Sequence, residues 1–236
     1  MKPVVDFERF KPDIRYAYDL KPVLHQPDAL KDNFPAYFMY RDAYLTREDW
    51  EKIKKAGLRY DYTITPPAVI GDEYIKTYGH YHPRAGKLSF PEVYQVIEGR
   101  ALFIIQKRGD DDNHIEDVVA VEVDEGEVIV VPPEYGHVMV NRTDKRLVTS
   151  NWVCRNFSSI YEPYTNLRGA CYYLTRSGWV RNGNYASAPE LRFAKPDQVL
   201  DVSGDMYDLV NEIEALEFLV NPDEYEDMFK KALVFD

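Results

Sequence analysis

Hydrophobic and polar residues alternate along the middle of the chain, in the manner of half-buried β-strands. From Leu58 to Ile64 every second residue is leucine, tyrosine or isoleucine, and the residues between them are polar. Because successive side chains of a strand point to opposite faces, this pattern predicts a strand with one apolar face. Further segments of strand composition follow at short, even spacing, at residues 74–79, 92–98, 101–107, 117–123, 127–131, 137–141 and 147–153.

Turn-forming residues separate these segments. They are Gly99 and the stretches 109–112, 124–126 and 142–144, each of which contains aspartate or glycine. No helical pattern interrupts the series. Many short strands with frequent turns predict an all-β core, folded as an antiparallel barrel of the jelly-roll type.

Before the barrel, residues 1–45 show no clear period and are interpreted as an extended arm that packs against a sheet or a partner subunit. A helix is predicted over residues 46–56. Thr46 is suited to cap it, Asp49 stands at the capping-box position, and Gly57 is suited to end it.

After the barrel, residues 205–219 carry apolar residues at helical spacing. Asn221 and Pro222 then resemble a helix start with proline in the first turn, which opens a second helix to about Leu233. The sequence therefore divides into an N-terminal arm and helix that pack on the barrel (1–57), the barrel itself (58–175) and a C-terminal extension with helices (176–236).

Charge restricts the classes of partner. The chain of 236 residues has a formal net charge of −11, which argues against nucleic acid or an anionic membrane as the main ligand. The same charge opposes an anionic substrate at long range, so phosphate recognition requires a local cluster of donors. No stretch approaches the roughly 20 apolar residues of a membrane helix, and the N-terminus lacks an apolar signal core. We expect a cytoplasmic protein whose two cysteines, Cys154 and Cys171, are reduced thiols.

Candidate metal ligands stand in two of the strand-rich blocks. His80 and His82 are two residues apart and share one face of a strand, while Glu92 and His137 must arrive from neighbouring strands. Three imidazoles and one carboxylate suit a divalent Fe, Mn, Ni or Zn ion and leave coordination positions for water or substrate. A histidine cluster buried for packing is the alternative, but three of the five histidines of the chain fall in this set.

The spacing around these residues matches the two sequence motifs of the cupin superfamily. Six residues separate Glu92 from Gly99, and His137 is followed by Asn141 after three residues. The combination Thr-x-Gly-His-x-His at 77–82, Pro-Glu-Val-Tyr at 91–94 and Pro-Pro-x-x-x-His-x-x-x-Asn at 132–141 resembles the cupin-type glucose-6-phosphate isomerase family, best known from archaea. The resemblance covers roughly residues 60–165. Two motif glycines are replaced by Tyr74 and Glu134, and the gap from His82 to Glu92 is longer than in the commonest cupins.

The resemblance implies an isomerase that interconverts glucose 6-phosphate and fructose 6-phosphate, with one divalent metal per chain and a homodimeric assembly. It implies metal ligation by His80, His82, Glu92 and His137. It further implies that Thr63, Thr77 and Tyr161 bind the substrate phosphate and that Gly79 permits close approach of the backbone. Two phosphate contacts of the family are absent near residues 153–160, and Arg155, Arg168 or Arg84 are candidates to replace them.

Glu92 is the first candidate for a catalytic base that forms a cis-enediol, although a metal-bound carboxylate is a poor base. A metal-assisted hydride shift is the other route, and the sequence does not choose between them. Tyr94, two residues along on the same face, is suited to bind a sugar hydroxyl or shuttle a proton, or simply to pack inside the barrel. The competing functions are another cupin chemistry on a different sugar or small acid, including an iron-dependent dioxygenase, and a non-catalytic sugar- or ligand-binding cupin.

Overall fold

The computed structural model describes residues 1, 3–196, 199–200 and 202–232. The strands in this part of the chain are β1 (Asp13–Tyr16), β2 (Pro35–Tyr40), β3 (Leu58–Thr65), β4 (Val69–Ile70), β5 (Glu73–Tyr74), β6 (Glu92–Glu98), β7 (Arg100–Arg108), β8 (Ile115–Asp124), β9 (Val128–Val131), β10 (Tyr135–Val140), β11 (Leu147–Cys154), β12 (Tyr172–Thr175), β13 (Gly178–Arg181) and β14 (Arg192–Ala194). The α-helices are α1 (Arg47–Lys55), α2 (Glu162–Asn166) and α3 (Glu226–Phe229), and 3₁₀ helices cover Phe7–Arg9, Ala17–Val23, Pro27–Ala29, Met206–Leu219 and Pro222–Tyr225.

Two sheets form the barrel. The larger has the strand order β1-β2-β3-β11-β6-β9, and the sheet packed against it has the order β10-β7-β8-β14. Apolar side chains from both sheets, among them Val96, Phe103, Val121 and Met139, form one buried cluster between them. The predicted jelly-roll architecture of the cupin type is confirmed. A small third sheet, β13-β12-β5-β4, lies beside the barrel.

The N-terminal segment contributes strands that the sequence pattern did not reveal. Strand β2 pairs antiparallel with β3, with Met39 opposite Thr63, and β1 pairs with β2 at the edge of the sheet. The β2 sequence, Pro-Ala-Tyr-Phe-Met-Tyr, is apolar throughout and has no alternation, and β1, Asp-Ile-Arg-Tyr, alternates over only four residues. The segment therefore extends the larger sheet by two strands.

The predicted helix after Thr46 is confirmed with its capping box. The Thr46 hydroxyl accepts a hydrogen bond from the Asp49 backbone N–H at 3.0 Å, and the Asp49 carboxylate accepts one from the Thr46 N–H at 3.2 Å. At the other end of the chain, residues 206–219 form a 3₁₀ helix interrupted by non-helical backbone at Glu212. The last predicted helix is replaced by a 3₁₀ turn and α3, which ends at Phe229, and its expected end at Leu233 lies outside the described residues.

This C-terminal 3₁₀ helix covers the outer face of the larger sheet. Tyr60, Trp152 and Tyr207 pack together there, and the Trp152 indole N–H donates to the Met206 carbonyl at 2.9 Å. Strand β3 is consequently buried on both faces. Tyr60 lies under the C-terminal segment and Tyr62 packs against Phe7 of the N-terminal segment. The polar face of β3, with Asp61 and Thr63, turns towards the interior pocket described below.

Cys154 and Cys171 are free, buried thiols, as expected. Among the described residues, no helix combines the length and the apolar character required to cross a membrane.

Candidate active site

The four predicted metal ligands come together inside the barrel. Their ligand atoms all lie within 4.8 Å of one another. His80 forms a β-bridge with His137 of β10, and Glu92 is the first residue of β6. Strands β6 and β10 belong to the two facing sheets, so Glu92 and His137 meet across the interior rather than from neighbouring strands. We call His80, His82, Glu92 and His137 the ligand cluster.

The donor set of the ligand cluster fits a divalent transition metal. The Nε2 atoms of His80 and His82 are 3.1 Å apart, and Glu92 Oε2 lies 3.3 Å from His82 Nε2 and 3.4 Å from His137 Nε2. Glu92 Oε2 is buried without a well-formed hydrogen bond among the described residues. The Phe90 carbonyl, 2.8 Å from His82 Nδ1, fixes that N–H as a donor and leaves Nε2 free to ligate.

Electrostatics favour the protonation states that a metal site needs. Burial, reinforced by the neighbouring imidazoles of His137 and His82, holds the pKa of His80 well below its usual range. Burial also lowers the pKa of His137, against the opposing effect of Glu92. Burial alone would raise the pKa of Glu92, but contacts with the imidazoles of His137 and His82 bring it well below its usual range. These shifts favour an ionised Glu92 beside neutral imidazoles at His80 and His137.

Two further side chains contact the ligand cluster. The Asn151 amide donates to Glu92 Oε1 at 2.7 Å, which leaves Oε2 as the oxygen directed at the imidazoles. The Tyr94 hydroxyl lies 3.0 Å from His137 Nε2, and burial together with the charge of Glu92 raises the pKa of Tyr94 well above its usual value. Tyr94 is therefore a protonated phenol. Sequence reasoning did not single out Asn151, whose only signal is an amide in the buried strand β11.

The predicted substrate-binding residues line the same pocket as the ligand cluster. These are Thr63, Thr77, Gly79 and Tyr161. The Tyr161 ring lies 5.5 Å from the His80 ring. The Thr77 hydroxyl accepts from the Met139 backbone N–H at 3.0 Å, which leaves its own proton available to a ligand.

Gly79 owes its identity to close packing and to its backbone conformation. Its φ is +87°, in the left-handed region, and a Cβ at this position would lie 2.6 Å from both the Tyr164 ring and Val138 Cγ2. Any other residue would displace the segment that carries His80 and His82.

Glu134, which replaces a motif glycine, has a role of its own. It adopts a left-handed conformation with φ of +69°, normally unfavourable for a residue with a Cβ. Its N–H donates to the Ser89 hydroxyl at 2.6 Å, and its carboxylate accepts from the Ser89 N–H at 2.9 Å. Asp223 accepts from the N–H groups of Lys87 and Leu88, both at 2.8 Å. Glu134 and Asp223 therefore both hold the long connection between His82 and Glu92 by hydrogen bonds to its backbone.

The three arginines proposed from sequence as phosphate contacts are engaged elsewhere or lie outside the pocket. Arg155 bonds Asp42 at 2.6 Å, Arg84 bonds the Lys87 carbonyl at 2.8 Å, and Arg168 borders a separate depression.

Two other arginines, Arg41 and Arg59, line the pocket together with Asp61. We call these three residues the arginine cluster. Burial raises the pKa of Asp61, and the charges of Arg59 and Arg41 oppose that effect. A signal for Arg59 was present in the sequence, because it shares the polar face of β3 with Asp61 and Thr63.

Comparison with known proteins relates the chain to one family. A model of the glucose-6-phosphate isomerase family matches residues 14–190. Among individual relatives, the glucose-6-phosphate isomerase of Thermococcus onnurineus is 28% identical over 123 residues, covering 48% of this chain and 60% of the relative. The Pyrococcus furiosus enzyme of the same name is 30% identical over 95 residues, 40% of this chain and 46% of the relative. The chain spans about half the length of the curated relatives it matches.

Solved structures with a similar arrangement include an oxalate oxidase in complex with glycolate, with a TM-score of 0.40 and 19% identity over 54% of this chain and 56% of that chain. An oxalate decarboxylase from Bacillus subtilis has a TM-score of 0.36 and 17% identity, covering 53% of this chain and 27% of that chain.

Proposed function

Because the chain belongs to the glucose-6-phosphate isomerase family, whose model matches residues 14–190, we propose that it interconverts glucose 6-phosphate and fructose 6-phosphate in a metal-dependent reaction. The observation that carries the proposal is the convergence of three imidazoles and one carboxylate within 4.8 Å, in a pocket also lined by hydroxyl groups. Aldose–ketose isomerisation needs a polarising centre beside two adjacent carbons of the sugar and a hold on its distant phosphate.

His80, His82, Glu92 and His137 would hold one divalent Fe, Mn, Ni or Zn ion. When bound, such an ion supplies Lewis acidity for the sugar oxygens that gain negative charge during the reaction. The chain provides the ligands at fixed positions. The Asn151 amide N–H donates to Glu92 Oε1, so Glu92 Oε2 is the oxygen that points towards the imidazoles.

Glu92 and Tyr94 are the proposed catalytic residues. In the enediol route the Glu92 carboxylate would have to leave its ligating position, or act through one oxygen, to accept the proton from the second carbon of the sugar and return it to the first. Tyr94, a protonated phenol 3.0 Å from His137 Nε2, would donate its O–H to a sugar oxygen. In the hydride-shift route the hydrogen moves directly between the two carbons, and Glu92 serves only as a ligand.

Thr63, Thr77, Gly79 and Tyr161 are the proposed substrate-binding residues. The two threonine hydroxyls and the phenol are hydrogen-bond donors, and Gly79 lets the backbone approach the sugar. All four line the pocket that contains the ligand cluster, which supports this assignment.

A coupled assay tests the proposal. Fructose 6-phosphate is supplied, and glucose 6-phosphate is detected through a dehydrogenase. We expect turnover that a chelator abolishes and that an added divalent metal restores. If the wild-type protein turns over no phosphohexose with Fe, Mn, Ni or Zn, the isomerase proposal fails and a binding function takes its place.

A homodimer and a cytoplasmic location stay predictions. Strand β1 supports the dimer, because it is an edge strand of the larger sheet and exposes 37% of Ile14 and 41% of Tyr16. Sedimentation at micromolar concentration should give twice the chain mass, and a monomer there would contradict the prediction.

A further inference from the structure

Arg41 has the longer ion pairs of the two arginines that line the pocket. The three members of the arginine cluster do not share charge equally, because Arg59 Nε donates to both oxygens of Asp61, at 2.9 and 2.8 Å. Arg41 Nη1 is 3.4 Å from the same carboxylate. The single charge of Asp61 is therefore matched by Arg59, and Arg41 has only a distant share of it.

The remaining contacts of Arg41 are also weak. Its Nε lies 3.4 Å from Asp13, whose side chain is 71% exposed, and its Nη2 lies 3.2 Å from the Met39 sulfur. Pairs with such exposed partners contribute little. Arg41 itself is 39% exposed, so its N–H groups are open to a ligand that enters the pocket.

Strand register places Asp61, which lies 3.4 Å from Arg41 Nη1, at a suitable distance from the ligand cluster. Asp61 of β3 stands opposite Asn151 of β11, which in turn stands opposite Tyr94 of β6. Two strand spacings, about 10 Å, therefore separate the strand that carries Asp61 from the strand that carries Glu92. Thr63, two residues from Asp61 on the same face, lies about 7 Å along β3 and lines the pocket beside Arg41. An extended six-carbon sugar with a terminal charged group is of this length.

We propose that Arg41 recognises the anionic end of the substrate, a phosphate monoester. The Arg59–Asp61 pair positions the side chain of Arg41. A guanidinium group binds a phosphate through two parallel N–H···O bonds, a geometry that a threonine hydroxyl cannot provide. This site supplies the local donors that a chain of net charge −11 needs to bind an anion. The identity of the anion as a sugar phosphate rests on the proposed function.

Calorimetric binding to the metal-loaded protein tests the proposal, with fructose 6-phosphate and fructose as matched ligands. The two ligands share their hydroxyl groups and differ in the phosphate. Arg41→Met should weaken the binding of fructose 6-phosphate about 10- to 100-fold, the usual range for hydrogen bonds to a charged group, and leave fructose unchanged. Arg41→Lys keeps the charge without the planar fork and should fall between wild type and Arg41→Met.

Arg142→Met is the control. Arg142 is 40% exposed and paired with Glu122, but it lies outside the pocket, so both affinities should stay at the wild-type value. Metal content and melting temperature of each variant establish that the fold is intact.

The outcomes separate this proposal from the isomerase proposal. If Arg41→Met keeps its preference for fructose 6-phosphate over fructose, or if wild type has no such preference, Arg41 is not the anion site, whatever the turnover. If wild type binds fructose 6-phosphate through Arg41 without converting it, the isomerase proposal fails and the anion site stands.

Discussion

The ligand cluster and the arginine cluster occupy one pocket but handle charge in opposite ways. In the ligand cluster a carboxylate is buried among three imidazoles, and its Oε2 atom has no well-formed hydrogen bond within the part of the chain that the structure describes. In the arginine cluster two cations share one buried carboxylate, and the second contact of Arg41 is with the exposed carboxylate of Asp13. A buried charge without a partner is costly, so the ligand cluster is built for a permanent cation. The arginine cluster is already neutralised in part and can exchange water for an anion.

The largest effect is expected from removing one metal ligand of the ligand cluster. His137→Ala should reduce the metal content from about one ion per chain to near zero after dialysis, and activity should disappear with it. Loss of a direct ligand should cost more than the 10- to 100-fold in metal affinity that loss of an outer-shell partner costs. Elemental analysis of the purified proteins provides the measurement.

His114→Ala is the matched control for the loss of an imidazole. His114 is exposed at a hairpin tip, where its Nδ1 lies 2.6 Å from Asp111, far from the ligand cluster in the fold. This variant should retain wild-type metal content. Unchanged metal in His137→Ala would remove His137 from the proposed site.

Glu92→Gln tests whether the ligand cluster does more than bind the ion. The amide keeps the shape but cannot accept the proton from carbon. If Glu92 is the base, kcat at matched metal occupancy should fall by about 10²- to 10⁴-fold, while KM changes little. Near-wild-type kcat in the metal-replete variant would favour the hydride shift, with Glu92 as a spectator.

The two clusters also differ in how far the sequence predicts them. The ligand cluster follows from motif spacing, although only Glu92 and His137 lie in strands and His80 is joined to His137 by an isolated β-bridge. Arg41 follows β2, whose uniformly apolar sequence hides its strand character. Its place in the pocket depends on the pairing of β2 with β3, a long-range contact without a local signature. Alternation and turns therefore predicted most strands of residues 58–154 but not the N-terminal strands. The strand expected over residues 74–79 is reduced to β5 (Glu73–Tyr74), and Lys76 and His80 form isolated β-bridges.

Asn151→Leu tests the link between the two clusters, because Asn151 stands between Asp61 and Tyr94 in the strand register. Leucine has a similar volume but cannot donate to Glu92 Oε1. Metal affinity should fall about 10- to 100-fold, the range observed for partners that orient a ligand. Metal titration monitored by competition with a chelator would measure it. An unchanged affinity would mean that the contact at 2.7 Å does not hold Glu92 in its ligating orientation.

The smallest expected effect is that of salt on the wild-type protein. Raising sodium chloride from roughly 0.05 to 0.5 M shortens the Debye length from more than 10 Å to less than 5 Å. Arg41 is 39% exposed, so the affinity for fructose 6-phosphate should weaken several-fold, whereas the affinity for neutral fructose should not change. The side chains of His82, His137 and Glu92 are at most 5% exposed, so retention of the ion should also be insensitive to salt. Equal salt dependence for both sugars would show that the phosphate is not held by an exposed cation. The proposal of an exposed anion site would then be contradicted, and only the buried cation site of the contrast would remain.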